Sequence, residues 1–384
     1  MIKVLKKKMI LALSWRDIKS PKRGGAEVQT HGMLMHLNSE KYEIIHISPM
    51  FKAAARCEDI DGIEYIRRGN VVSVIFYAFF YYIRNHGKID YVIDECNTHR
   101  FFTPFYVNRS KRIFLIYQLT REIWFINAKF PLNYIGYYME NALLRLYRNT
   151  HTITESESTR KDLINVGFAP DNIAVIHIGL NPEIDKTAKL DIKKYRKPVF
   201  IYVGRYSAYK GIDVCIKAFG IVKKTIPDAK MWIVGKKDEA FFDRELRPIC
   251  EGARLSISDK EDNDCDITLW GFVSESKKYE LMKQAHLLLF PSVREGWGII
   301  VTEAALLGTP SAVSNVPGCC DAVDFGKAGY LCNERTAKEF ALKMIESVND
   351  ISDYEQISKN AQNFAQDFKW NIISKDVNTY FDSL

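Results

Sequence analysis

The stretch Phe290–Pro310 constrains this chain more than any other. An apolar run, Leu287–Phe290, leads into it, and a second short β-like run, Ser311–Asn315, follows it. The stretch is then the loop and helix of one βαβ unit, and its two flanking strands are parallel. Gly296-Trp297-Gly298 opens the helix, while Gly308 and Pro310 close it, a glycine just past the end and a proline beyond. Ile299, Ile300, Val301, Ala304, Ala305, Leu306 and Leu307 leave almost no polar face, so the helix is expected to be buried.

A carboxylate on such a helix is costly unless something neutralises or hydrogen-bonds it, which makes Glu303 the informative residue. A sugar diol would serve, and so would a structural ion pair. Glu295 lies in the loop at the C-terminal end of a parallel strand, where ligands of open α/β sheets bind. The helix N-terminus beside it offers unpaired N–H groups and partial positive charge, which suit a phosphate. The plainer alternative for Glu295 is a solvated loop residue.

The run from Glu295 to Glu303, Glu-Gly-Trp-Gly-Ile-Ile-Val-Thr-Glu, resembles the Glu-x7-Glu signature of retaining family-4 glycosyltransferases with the GT-B fold. The resemblance covers nearly the whole chain. It includes Gly24-Gly25-Ala26-Glu27 near the start, Val203-Gly204-Arg205 with Lys210-Gly211 in the middle, and Gly271-Phe272-Val273-Ser274 before the signature.

The residues themselves lead to a similar architecture. A chain of 384 residues suits two domains rather than one core. Strand character at Met9–Ser14, Glu43–Ser48, Asp90–Asp94, Arg112–Tyr117, His151–Thr154 and Ile173–Ile178 alternates with helical patterns, as in a doubly wound parallel sheet. After a polar, weakly patterned stretch the alternation restarts at Val199–Val203 and continues through Lys230–Val234, Asp266–Leu269, Leu287–Phe290 and Ser311–Ser314. The expected fold class is α/β, with two Rossmann-like domains facing across a cleft. The boundaries read as 1–185 for an acceptor-side domain, 186–198 for a linker, 199–352 for a nucleotide-sugar domain and 353–384 for C-terminal helices. The resemblance implies that the last of these crosses back to the N-terminal domain.

The longest apolar run, Val71–Ile83, is shorter than the roughly 18 residues a membrane span needs. The basic flank at Lys3, Lys6, Lys7 and Lys8 precedes only a short apolar block, so Met9–Leu13 reads as a first strand rather than a signal peptide. Eight cysteines without zinc-like spacing, two of them adjacent at Cys319-Cys320, read as reduced thiols of a cytoplasmic protein. The net charge of +7 is concentrated in residues 1–185, with 25 Lys and Arg against 19 Asp and Glu. Such an excess suits either a solubilising surface or an anionic partner, phospholipid or phosphate-bearing acceptor.

In the turn Gly204–Gly211, Lys210 stands at a helix start, where a cation is disfavoured unless an anion joins it, and a diphosphate is such an anion. Arg205 adds a forked donor, although both residues also read as solvated loop cations. Gly24 and Gly25 at another helix start allow close backbone approach, or merely a tight turn. The spacings in Asp59-Ile60-Asp61 and Asp262-Asn263-Asp264-Cys265-Asp266 would suit a metal-dependent transferase, but neither closes an apolar strand, and no metal is expected. Val301 stands where a dinucleotide fingerprint needs its third glycine.

The resemblance implies that Arg205 and Lys210 neutralise a leaving diphosphate, Glu295 holds donor-sugar hydroxyls and Glu303 takes ribose hydroxyls. Gly24, Gly25, Gly271, Gly296, Trp297 and Gly298 join them on the donor side. It also implies a metal-independent hexosyltransferase that takes a UDP- or GDP-sugar as substrate, with no cofactor and no nucleic acid. A histidine common in the family at the end of the Arg112–Tyr117 strand is here Tyr117, and Glu122 is a substitute on the acceptor side. Lys236-Lys237 and Cys319-Cys320 are further departures, bearing on donor base or sugar. A nucleotide-sugar epimerase of the same fold and a non-catalytic nucleotide-sugar binder are the rival readings. Between Trp124 and Tyr147, aromatic rings alternate with Lys129, Arg145 and Arg148, which suits core and rim or a peripheral membrane contact near a glycan or lipid-linked acceptor.

Overall fold

The structure, a computed structural model, describes residues 6–260 and 264–384. Lys3, Asp262 and Asn263 lie outside the described residues. The chain divides into two compact units, the first made of the residues up to Trp124, Phe130–Gly179 and Trp370–Leu384, the second of Phe125–Lys129 and Leu180–Lys369.

Among the described residues the first unit holds eight strands: β1 (Lys8–Leu13), β2 (Tyr42–Ser48), β3 (Cys57–Ile60), β4 (Ile63–Arg67), β5 (Ile89–Cys96), β6 (Arg112–Ile116), β7 (His151–Thr154) and β8 (Ile173–Val175). Their order is β3-β4-β2-β1-β5-β6-β7-β8. All neighbours are parallel except β3 and β4, an antiparallel hairpin turned by Asp61 and Gly62, both at positive φ. The sequence reading missed β3 because an edge strand with one face in water carries no apolar run.

Alternation along each strand splits the core in two. Ile10, Ala12, Ile93, Ile113 and Leu115 face one helix layer, and Leu11, Leu13, Ile45, Ile47 and Val92 face the other. On the first side sits the final helix, Trp370–Ser383, through Trp370, Ile373, Val377 and Phe381. The Trp370 ring lies so close to Gly32 and Gly179 that a Cβ at either would stand 2.2 Å from it. It also stacks on His36 at 4.5 Å between ring centroids. The Gln29 side-chain amide pins Gly179 from the other side, donating to its carbonyl at 2.9 Å and accepting from its N–H at 2.8 Å.

The second unit holds β9 (Val199–Val203), β10 (Lys230–Val234), β11 (Ile257–Ser258), β12 (Ile267–Gly271), β13 (Leu287–Phe290), β14 (Ser311–Ser314) and β15 (Tyr330–Cys332). They form an all-parallel sheet in the order β11-β12-β10-β9-β13-β14-β15. Strands β9, β10 and β13 are buried along their whole length, which is why they read as nearly continuous apolar runs.

Two boundaries differ from the sequence reading. Residues 186–198 are packed rather than a free linker: Lys194 Nζ donates to the Ala285 carbonyl at 2.7 Å and to Thr309 Oγ1 at 2.6 Å. Lys283 Nζ holds the carbonyls of Thr187, Ala188 and Leu190. The segment read as 353–384 is divided between the units at Lys369–Trp370, where the sequence also reads a break in its helical pattern, because Ile351–Ala365 packs on Ile299–Leu306 and its Ser358 hydroxyl caps the Gly308 carbonyl at 3.0 Å.

Because the Trp370 ring is wedged against two glycines, nothing nearby can close over the space it leaves. Trp370→Ala is expected to cost about 3–5 kcal/mol, read as a lower denaturation midpoint in urea.

Candidate active site

The paired strands β9 and β13 bring their C-terminal ends side by side, Leu287 opposite Phe200 and Leu288 opposite Ile201. The loops that follow, 204–211 and 291–298, are therefore neighbours, and the Val293 N–H donates to the Tyr209 carbonyl at 2.9 Å. Arg335 ties the two together, donating to the Pro291 carbonyl at 2.6 Å and to the Ala208 carbonyl at 3.1 Å. Gly211 is needed at the seam, since its φ is +76° and a Cβ would stand 2.3 Å from the Pro291 oxygen. Gly318 plays the same part on the far side, where a Cβ would meet the Glu295 carbonyl at 2.1 Å.

Into this seam project Lys210 and Glu295, Lys210 Nζ to Glu295 Oε1 at 2.5 Å, both largely buried. Lys210 therefore has an anionic neighbour after all, supplied from the next strand's loop rather than from its own. Burial works against the ammonium, but Glu295 outweighs it and holds the Lys210 pKa above its ordinary value. Two helices start here, Ile212–Thr225 after Gly211 and Ile299–Leu306 after Gly298, and neither has a side-chain N-cap. Their leading N–H groups bring partial positive charge to the same rim. Arg205 is exposed at that rim, with its guanidinium 3.3 Å from the Tyr209 hydroxyl.

Glu303 is buried, as the apolar helix requires, and its neutralising partner is Lys278 on the Glu275–Gln284 helix. Lys278 Nζ lies 2.8 Å from Glu303 Oε2 and 2.8 Å from Glu275 Oε2, and the Tyr279 hydroxyl lies 3.3 Å from Glu303 Oε1. Burial raises the Glu303 pKa in spite of the ammonium beside it. Burial opposes the Lys278 charge too, yet Glu303 and Glu275 together keep its pKa above the ordinary value. Neither Lys278 nor Arg335 stood out in the sequence: one sits on a helix rich in charge, the other among exposed loop residues.

Trp297 departs from the donor-side role read for it. Its ring is buried against Phe364 and Phe368, and its indole N–H donates to Thr302 Oγ1 at 2.8 Å, so it anchors the loop from inside. Gly296 and Gly298 flank it, and Gly298, at φ +110°, lets the chain turn into the helix. Gly271 ends β12 at positive φ with open space where a Cβ would be, beside Phe272, which is 83% exposed.

Gly24, Gly25, Tyr117 and Glu122 belong to the first unit. Gly24 caps the Gly25–Met35 helix, but its N–H is taken by Glu27 Oε2 at 2.6 Å and is not offered to a ligand. Tyr117 is half-buried, its hydroxyl 2.7 Å from Thr30 Oγ1, which in turn donates to Glu95 Oε2 at 2.9 Å. Burial and the nearby Glu95 push the Tyr117 hydroxyl pKa well up, so it stays protonated. Glu122 is exposed. Burial and then Glu27 raise the Glu95 pKa well above the usual carboxyl range, a feature the sequence reading did not single out. Among the described residues no group of three or more His, Cys, Asp or Glu side chains is placed to hold a metal ion. Asp59 and Asp266 are engaged locally, by the Gly62 N–H and by Lys223 with Ser256.

Removing Lys278 would strand a buried carboxylate. Lys278→Ala is expected to lose about 3 kcal/mol at neutral pH. A carboxyl whose folded pKa is raised contributes stability below its unfolded value and loses it as pH rises through the folded one. The deficit should therefore narrow on acidification toward pH 4.5, measured by urea titration across that range.

Residues 185–364 match the family model described as glycosyl transferases group 1. An uncharacterized glycosyltransferase of Methanocaldococcus jannaschii is 27% identical over 62% of this chain and 61% of its own length. A capsular polysaccharide biosynthesis glycosyltransferase of Staphylococcus aureus is 24% identical over 88% of this chain and 86% of its own. The chain thus spans less than two thirds of the first of these relatives. Among solved structures, Anabaena HepE in complex with UDP and glucose superposes with a TM-score of 0.73 at 17% identity, covering 98% of this chain and 100% of that one. That likeness is one of fold, and the fold is GT-B. Sequence over nearly the whole second unit and fold over both units point the same way: residues 185–364 are similar to the glycosyl transferases group 1, and the fold is GT-B.

Proposed function

We propose that this protein is a retaining, metal-independent glycosyltransferase that moves a hexose-type sugar from a nucleoside-diphosphate sugar to a hydroxyl of a glycan or lipid-linked acceptor, working at the periphery of an anionic membrane surface. The observation that carries this reading is the Lys210–Glu295 pair set between two helix N-termini without side-chain caps. Such a rim offers an ammonium and free backbone N–H groups to a diphosphate, and a carboxylate to sugar hydroxyls. Arg205, exposed at the same rim, adds a second cation for the phosphate oxygens. Glu303 keeps lone pairs beyond those used by Lys278 and Tyr279, because an ionised carboxylate accepts about four hydrogen bonds, and these suit the ribose diol. Phe272, exposed beside Gly271, offers a ring face to the base.

In this reading the leaving diphosphate gathers negative charge as the sugar–oxygen bond breaks, and Lys210 with the two helix starts stabilises it. The acceptor hydroxyl then attacks from the side the diphosphate leaves, giving its proton to a phosphate oxygen, so that the anomeric configuration is kept. No side-chain base is required, which fits a tyrosine at position 117. The HepE structure bound to UDP and glucose is of the same fold, and it supports a nucleoside-diphosphate sugar as donor.

Incubation with a panel of UDP- and GDP-sugars, followed by nucleoside-diphosphate release, tests the reading. Lys210→Ala is expected to lower release about a hundred- to a thousand-fold while its circular dichroism remains that of the wild type. Near-wild-type release from that variant would remove Lys210 from the site. Turnover is also expected to persist in EDTA, and proton NMR of the glycosylated product should show the anomeric configuration of the donor. An inverted product would sink the retaining assignment.

A further inference from the structure

The helix Ser73–Asn85, Ser-Val-Ile-Phe-Tyr-Ala-Phe-Phe-Tyr-Tyr-Ile-Arg-Asn, contains a single charged residue, Arg84. Val74, Ala78 and Tyr82 turn inward onto Leu11, Ile45 and Val92. The opposite side is as apolar and faces water: Phe76 is 62% exposed, Phe80 53%, with Val72 and Ile83 continuing the stripe at either end. A helix apolar all round belongs in an interior, and an exposed apolar stripe of this length marks a surface that something covers.

The stripe is part of a larger face. Val92 and Cys96 lie on one side of β5, four residues apart, and the register sets Cys96 beside Ile116 of β6. Cys96 and Ile116 pack with Leu144 of the helix Leu132–Arg145. Both helices therefore cover the same side of the first unit's sheet. The second one also carries apolar groups outward, notably Leu132 and Tyr138, the latter 71% exposed. The turn Thr103–Phe105 adds Phe105, while Tyr106 beside it packs edge-on against Phe79.

Charge on this face is predominantly positive, although Glu43 and Glu64, both exposed, stand on the same side of the sheet near Tyr81 of the Ser73–Asn85 helix. From Tyr65 to Asn149 the sequence holds 12 Lys and Arg against 5 Asp and Glu. Of the five, Asp94, Glu95 and Glu140 are buried and Asp90 accepts from the Met9 N–H, which leaves Glu122. Arg84, Lys88, Arg109, Arg145 and Arg148 are exposed. An apolar stripe rimmed by cations matches lipid chains under anionic headgroups. It is a poor match for a second copy, which would bring cationic rims together.

We infer that this side of the first unit, with the Ser73–Asn85 helix at its heart, is the surface that lies on an anionic lipid bilayer. The inference rests on the peripheral-membrane part of the proposed function and gives it an address. That address widens the one the sequence suggested: within 124–147, Tyr147 is buried and Tyr137 half-buried, but Phe130, Leu132, Tyr134, Ile135, Tyr138 and Met139 are exposed, and the earlier helix adds its own apolar stripe.

Co-sedimentation with vesicles tests it, using equal parts phosphatidylcholine and phosphatidylglycerol against phosphatidylcholine alone. Wild type should pellet with the mixed vesicles at low ionic strength and stay in solution with the neutral ones. Phe76→Glu with Phe80→Glu should lower the bound fraction about tenfold or more, at unchanged circular dichroism and melting temperature. Arg84→Glu with Lys88→Glu should weaken binding at low salt and flatten its salt dependence. Failure of wild type to pellet, or equal binding by the phenylalanine variant, overturns the inference. So does a concentration-dependent dimer that the same variant abolishes, since the face would then belong to a second copy. Nucleoside-diphosphate release by the phenylalanine variant should match wild type. If wild type binds vesicles but releases no nucleoside diphosphate from any donor, the lipid face stands and the catalytic reading falls.

Discussion

The ion pair between Lys210 and Glu295 is the contact on which the arrangement of the second unit's rim depends. Each residue sits in a loop that would place a charge beside low-dielectric strands and, for Lys210, near a helix end of the wrong sign. Either one alone would be costly there. Brought together they neutralise each other, and much of the local sequence serves to bring them together. Gly211 and Gly318 remove the two side chains that would wedge the loops apart, Arg335 ties the loops through their carbonyls, and Trp297 nails the second loop to Phe364 and Phe368. A buried pair of this kind is weak evidence for stability, since apolar residues of similar volume often do as well. Its worth is in what it presents at the rim.

Much of this was legible along the chain. Apolar runs of strand length identified Val199–Val203, Lys230–Val234 and Leu287–Phe290 to the residue, because a strand buried on both faces must be continuously apolar. Glycine and proline punctuation placed the Ile299–Leu306 helix and its loop. What failed to show was whatever depends on a neighbour distant in sequence. Lys210 looked anionless because β9 and β13 are adjacent in space but are not successive strands. The partner of Glu303 could not be told from the other charges of the Glu275–Gln284 helix. Trp297 looked like a ring offered to a ligand because its covering residues, Phe364 and Phe368, come from a helical region far downstream. The short strands β11 and β15 carry too few residues for any period to register.

Glu303 shows how two readings of one residue can hold at once. The apolar helix demanded a partner, and the partner is a lysine shared with Glu275. That satisfies burial without exhausting the carboxylate's capacity to accept hydrogen bonds. A residue held in place by a lysine and a tyrosine hydroxyl loses little further freedom on meeting a ribose, so less of the contact energy goes into ordering the side chain.

The same reasoning gives the Lys210–Glu295 pair a part in the reaction proposed here. Before donor arrives, each charge answers the other, so neither helix start nor loop need rearrange to tolerate it. A diphosphate entering the rim supplies Lys210 with a stronger anion than a lone carboxylate, and it leaves Glu295 to hydrogen-bond sugar hydroxyls at the distance the loop already fixes. The exchange would require motion of two side chains rather than of the backbone, since Arg335 ties the two loops together and Gly211 and Gly318 let them pack closely. Charge developing on the leaving group would then meet an ammonium and helix N–H groups oriented beforehand, the condition under which electrostatic stabilisation costs least reorganisation.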